Sequence, residues 1–212
     1  RQVGHWRDSI HLYRHALAAT GRNPIVHNNL GIALVDAGRI EEALDVYREG
    51  LARPSAFAHV LAYNAGIASA RLGRHAEARQ YFDGVLASDP NHAEALYHRA
   101  RSLRALRQLE AAQRDLARAV ALAPDASEPR VELGLVLGQL GRFADARREL
   151  ERAVALAPGN LEARINLAVA WLELGHPAAA IRELERVLAA HPDHAAASRY
   201  LATARARLAA QP

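Results

Sequence analysis

The chain has 212 residues, 50% of them hydrophobic and 5% aromatic, with 27 basic and 23 acidic side chains and a net charge of +4. The absence of cysteine removes disulfides, thiolate metal sites and thiol nucleophiles together. No apolar run approaches the roughly 18–20 residues that span a bilayer, so the segment is expected to be soluble. Every basic residue is arginine, as expected of a high-GC bacterial genome. The chain starts at Arg1 and holds no methionine, as a fragment or a processed product would.

Alanine and leucine dominate, and the prolines and glycines fall mostly between apolar periodic stretches, so the chain is expected to be all-α. About twelve antiparallel helices are predicted. A lone helix near 5–19 comes first. Five pairs follow, their first helices starting near 24, 58, 92, 126 and 160. A final helix near 194–209 carries arginines along one side, which suits a helix covering the end of a stack. The predicted organisation is one solenoid over 1–212. It comprises a partial repeat at 1–23, full repeats at 24–58, 59–92, 93–126, 127–160 and 161–194, and a capping segment at 195–212.

This partition rests on an internal period. Pro90, Pro124, Pro158 and Pro192 recur every 34 residues, each closing a similar phrase such as AVALAPDASEP. Glycine recurs at Gly4, Gly38, Gly73, Gly141 and Gly175, with Arg107 in the slot where it is missing. Alanine recurs at Ala43, Ala78, Ala112, Ala146 and Ala180, and a bulky residue at Tyr13, Tyr47, Phe82, Leu116, Leu150 and Leu184. One extra residue near Arg53–Phe57 lengthens one interval. The glycine is expected to supply the left-handed turn between the helices of a pair. The alanine, with Gly31, Gly66, Ala100, Gly134 and Ala168 on the first helix, should let the two helices approach closely. The bulky residue should fill the space between neighbouring pairs, and the proline should stop the second helix.

The segments NNLGIALVDAGRIEEALDVYREGL (28–51) and VELGLVLGQLGRFADARRELERAVALAP (131–158) resemble the tetratricopeptide-repeat family, and the resemblance covers almost the whole chain. Arg107 in place of glycine, and Arg99 in place of leucine, depart from the pattern. The resemblance implies a right-handed superhelical α-solenoid. It also implies a non-catalytic scaffold whose first helices line a concave groove that takes an extended peptide or protein.

Along that face one slot repeats. Asn29, Asn64 and Asn166 occupy it in three repeats, and His98 and Glu132 in the other two. Amides at this spacing suit pairing with the backbone of an extended peptide, as in the asparagine ladder of O-linked sugar transferase repeats. The same amides are also compatible with local bonding beside a tight helix crossing. Around them the partner-binding groove is expected to hold Asn28, Asp36, Tyr63, Arg71, Tyr97, Arg101, Arg104, Gln139 and Glu173. The slots that clamp the carboxylate of chaperone tails elsewhere in the family hold Asn28 and Ile32, so that clamp is not expected.

Other chemistry is sparse. His11 and His15 lie one helical turn apart without a third ligand, and His191 and His194 sit in a polar turn beside Asp193. No metal and no cofactor are expected. There is no G-x-S-x-G, phosphate loop or H-E-x-x-H, so no catalytic residue is assigned. Arg99, Arg101, Arg104 and Arg107, with Arg114 and Arg118 beyond them, form the most basic stretch. RNA or another polyanion is therefore an alternative partner, though nearby acids and scarce aromatics weigh against nucleic acid. Finally, Arg1-Gln2, Trp6-Arg7-Asp8-Ser9, Leu12, His15, Ala16-Leu17 and Asn23 resemble the junction before the C-terminal repeats of bacterial polytopic membrane glycosyltransferase-like proteins. That resemblance implies an accessory substrate-recognition tail, extracytoplasmic and tethered to a membrane protein; without it a cytoplasmic location is expected.

Overall fold

The computed structural model describes residues 2–20, 23–52 and 54–211, with side chains from Ser9 onward. The side chains of Arg1, Trp6, Arg7 and Asp8, on which part of the glycosyltransferase-tail resemblance rests, lie outside the described residues. Among those described there are twelve α-helices and no strand. They divide into two compact units, Arg1–Gln108 and Leu109–Pro212.

The first unit holds α1 (Gln2–Thr20), α2 (Pro24–Asp36), α3 (Ile40–Leu51), α4 (Ala58–Arg71), α5 (His75–Ser88) and α6 (Ala93–Ala105). The second holds α7 (Leu109–Leu122), α8 (Ser127–Gln139), α9 (Phe143–Leu156), α10 (Leu161–Glu173), α11 (Pro177–Ala190) and α12 (Ala195–Ala209). Within each unit a helix packs on its neighbours in sequence, and first helices also touch, α2 on α4 and α8 on α10. This is the nearest-neighbour packing of a repeat array.

The turn between paired helices is left-handed, with φ of 76° at Gly38 and 74° at Gly141. Arg107 adopts the same conformation at 61°. The turn is therefore dictated by the repeat, and the arginine accepts the steric cost of a position suited to glycine. Side-chain caps hold the starts of α2, α6, α10 and α12. The Oδ1 of Asn23 and Asn160 accepts backbone N–H bonds, and the Nδ1 of His92 and His194 does the same. His194 is thereby explained as a cap. The extra residue near Arg53–Phe57 belongs to the first full repeat and precedes α4, which has 14 residues where α2, α6, α8 and α10 each have 13.

The periodic alanines Ala43, Ala78, Ala112, Ala146 and Ala180 are all buried. The bulky slot fills space differently from expectation. Tyr47 packs against Gly31 of its own pair, where an added Cβ would sit 2.2 Å from a ring carbon. Phe82 against Gly66 and Leu150 against Gly134 repeat this at 2.7 and 2.5 Å. Close approach within a pair thus depends on the large side chain meeting a residue without one. These residues continue into shared cores, Ile10, Leu34, Leu44, Tyr47 and Leu61 in the first unit, and Leu172, Leu184, Val187 and Leu201 in the second.

Candidate functional site

The predicted face residues fall into both units, and their surroundings differ. In the first unit, Asn28 is buried and Asn29 and Asn64 are half-buried. Asn64 Nδ2 donates to Asn28 Oδ1 at 2.7 Å, and Asn28 Nδ2 donates to Asn29 Oδ1 at 3.4 Å. The amides of α2 and α4 thus form a short chain linking two repeats. Asp36 lies exposed at the end of α2.

One repeat further along, the slot is aromatic. His98 packs between rings, 5.9 Å from Phe82 in a stacked arrangement, and edge-on to Tyr63 at 5.7 Å and Tyr97 at 4.9 Å. Tyr63 in turn stacks on His92 at 5.3 Å. Burial, with a smaller contribution from the Arg101 charge, pushes His98 down to about 4, so its ring is neutral near pH 7. Burial likewise pushes the Tyr63 hydroxyl up to about 12.

Beside this cluster α4, α5 and α6 enclose a cavity of about 450 Å³. Arg71 and Arg104 line it from the last turns of α4 and α6, with Arg101 one turn earlier. Ile67, Ala70 and Ala105 supply its apolar wall, and His75, His98 and Ser102 complete it. No carboxylate lines it. The Arg101 guanidinium lies over the Tyr97 ring, 5.6 Å from its centroid. The His75 Nδ1 is buried without a hydrogen-bond partner. His75 and Ser102 were not singled out from the sequence. His75 begins a second helix and Ser102 falls on the buried side of α6, so neither carries a groove signal in the repeat pattern.

In the second unit, Glu132 is buried on α8, and Gln139 and Glu173 are exposed at the ends of α8 and α10. Glu173 accepts from Arg207 of α12 at 3.5 Å. Asn166 lines a mostly apolar cavity of about 210 Å³ with Gln139, Leu135 and Val169, and its Nδ2 is buried without a partner. Arg114 and Arg118 belong to α7 of this unit, whereas Arg99, Arg101, Arg104 and Arg107 belong to the first.

A further pattern in the second unit repeats with the period. Arg130 donates to Glu149 at 2.8 Å and to the Pro124 carbonyl, and Arg164 donates to Glu183 at 2.6 Å and to the Pro158 carbonyl. The 34-residue offsets of these residues were present in the sequence. What the sequence did not show is that the arginine brackets a loop carbonyl and a helix carboxylate together. Among the described residues no group of three histidine or acidic side chains gathers around one point. None of the helices there is long and apolar enough to cross a membrane.

Sequence profiles of the tetratricopeptide repeat match residues 1–58, 70–133 and 138–208. The chain belongs to the tetratricopeptide-repeat family. No curated protein matches it in sequence. Among solved structures of tetratricopeptide proteins, YrrB, described as having an unusual peptide-binding site, aligns with a TM-score of 0.73 and 24% identity. The alignment covers 88% of this chain and 96% of YrrB. MamA from Desulfovibrio magneticus RS-1 aligns with a TM-score of 0.74 and 25% identity, covering 81% of this chain and 96% of its own. The Cut9–Hcn1 structure reaches a TM-score of 0.77 at 16% identity, over 95% of this chain and 40% of its own. These likenesses establish the tetratricopeptide solenoid fold, which generally serves as a non-catalytic interaction scaffold.

Proposed function

We propose that this tetratricopeptide protein binds an extended peptide or protein segment along the face built by its first helices, and that it does so without catalysis. The observation that carries this reading is Asn166, whose Nδ2 is buried and unpartnered at the edge of an apolar cavity. A buried donor without a partner is costly, and a backbone carbonyl of a bound segment would satisfy it while apolar side chains fill the cavity. Asn29 and Asn64 occupy the corresponding slot in the first unit, where the amide chain leaves further hydrogen-bonding capacity on the same helices. YrrB, with a peptide-binding site of its own, is consistent with such a role.

The test begins with affinity capture using the wild type and the Asn29→Ala/Asn64→Ala/Asn166→Ala variant, read by mass spectrometry. Calorimetric titration of the partner that distinguishes them follows. Each lost hydrogen bond is expected to weaken binding by about 0.5–1.5 kcal/mol. Unchanged affinity together with a large fall in melting temperature would assign these amides to the fold instead.

A further inference from the structure

A cavity of about 740 Å³ in the second unit lies on the side of the intra-pair turns, among the early turns of α9 and α11, the last turn of α10 and the residues after α12. Cavities in this range hold ligands. Its wall departs from the repeat. Trp171 occupies the slot that holds Leu34, Ser69, Leu103 and Leu137, all buried, whereas the indole is half-buried and lines the cavity. His176 meets the indole edge-on at 5.5 Å. The Arg147 guanidinium, itself paired with Glu151, lies 4.8 Å from the ring centroid. Trp171 follows Asn166 by five residues, a turn of about 140° round α10, so this wall is not the face that carries the asparagine slot. The charge departs from the repeat as well. In α9, Asp145 pairs with Arg148 one turn later. The corresponding positions of α11 hold Ala179 and Arg182. Arg182 lines the cavity, donates to the Ala178 carbonyl at 3.3 Å and, among the described residues, pairs with no carboxylate. No carboxylate lines the cavity either. The site thus lacks the acid that the same frame supplies one pair earlier.

We infer that this turn-side edge of the second unit docks a partner segment in which an acidic residue stands beside an aromatic one. The partner's carboxylate takes the part that Asp145 plays in α9 and accepts charge-assisted bonds from Arg182. The neighbouring ring packs in the corner made by Trp171 and His176, where aromatic groups gain from offset or edge-on contact. The surface is separate from the asparagine-bearing face, and the inference does not rest on the peptide-binding reading of that face. Nucleic acid matches the site less well. A strand brings a charge at every phosphate, and the cavity offers one cation without a carboxylate partner.

The experiment titrates blocked tetrapeptides into the full chain, each with two central residues between glycines: glutamate–phenylalanine, glutamine–phenylalanine and glutamate–alanine. Nuclear magnetic resonance follows the Trp171 indole N–H, identified by its loss in Trp171→Leu, and the His176 ring signals. The glutamate–phenylalanine peptide should shift both in a saturable one-to-one titration. Each of the other two should bind roughly tenfold more weakly. Ala179→Asp gives α11 the carboxylate that α9 has, so it should weaken the first peptide roughly tenfold while the melting temperature stays level or rises. Arg148→Gln, at the corresponding position of α9, should change binding less than about twofold. Melting curves check that the variants fold, and the wild-type shifts test the site without any substitution. Equal binding of the glutamine peptide, or undiminished binding by Ala179→Asp, would overturn the role given to Arg182. Tighter binding of a twelve-nucleotide oligothymidylate at the same signals would overturn the proposal in favour of a strand-binding surface. If the folded wild type shows no shift at Trp171 or His176, the proposal falls, and the reading of the asparagine face, tested through other residues, stands.

Discussion

In the first unit the side chains facing the first-helix glycines are Tyr47 and Phe82, and in the second the same slot holds Leu150 opposite glycine and Leu184 opposite Ala168. The ion pairs differ in the opposite sense. Arg48–Glu77 bridges two repeats of the first unit with side chains 43% and 26% exposed, whereas Arg164–Glu183 in the second is only 15% and 13% exposed. At these positions the first unit uses rings and a solvated pair, and the second uses leucines and a more enclosed pair. The wide aromatic filler needs a neighbour without a Cβ, while the narrower leucine tolerates alanine there. The lesson is that periodicity specifies where a filler goes, and each unit then meets its packing and polar requirements with different chemistry.

The sharpest way to test this contrast is to remove an arginine from each unit. Arg130→Ala leaves the Pro124 carbonyl without its donor and Glu149 with only the 3.5 Å contact to Arg152. A loss of about 3 kcal/mol is expected, as for other buried pairs broken on one side. Arg48→Ala, at an exposed pair, should cost less than about 1 kcal/mol. Urea denaturation measures both, and the double replacement Arg130→Met/Glu149→Leu should recover much of the first loss. Equal costs at Arg48 and Arg130 would erase the distinction.

The next effect is smaller and concerns the filler itself. Gly31→Ala drives a methyl to 2.2 Å from a Tyr47 ring carbon, and a buried ring has little room to turn. A cost of about 2 kcal/mol is expected, even though alanine favours the helix. Gly134→Ala brings a methyl to 2.5 Å from Leu150 Cγ, but the corresponding slots of the next repeat hold Ala168 and Leu184 together in one buried core, so the leucine frame accommodates alanine. There the cost should stay below about 1 kcal/mol. If thermal melts place the two substitutions together, the aromatic and aliphatic fillers are equally tolerant and the argument from shape fails.

How much of this was legible beforehand follows the same division. Gly38, Pro90 and Ala43 act through the backbone and through close approach, so their spacing alone revealed the twelve helices and their turns. Tyr47 was readable as a filler, but its partner was not, because contact within a pair and contact between pairs share one periodic slot. The face was legible only as a set of candidates. A slot at Asn64, His98 and Glu132 looks uniform in register. Yet one residue bonds to Asn28, the next is enclosed by rings, and the third is buried on α8. The polar character of a slot depends on which side chains the neighbouring repeat sends toward it, and those lie about 34 residues away in the chain.

The last expected effect, comparable to that at Gly31, uses acid on the aromatic cluster of the first unit. His98 has its proton affinity pushed down to about 4 by burial among Phe82, Tyr63 and Tyr97, with Arg101 adding a like charge. In the unfolded chain its ordinary value is about 6.5. Above that value both states are neutral and the residue contributes no pH dependence. As pH falls below it, the unfolded state takes up a proton that the folded state refuses, so stability declines. The decline ends once pH drops below the folded value, where both states are protonated. With partial exposure allowed for, the loss is on the order of 2 kcal/mol between pH 7.5 and pH 4. His98→Phe keeps a ring in the cluster and removes the titration, so its stability should fall less than the wild type's over that interval. Urea denaturation of wild type and variant at pH 7.5 and pH 4, followed by circular dichroism, measures both declines. Equal declines in wild type and variant would mean that the aromatic cluster does not hold His98 in its neutral form and that the acid sensitivity of the chain arises elsewhere.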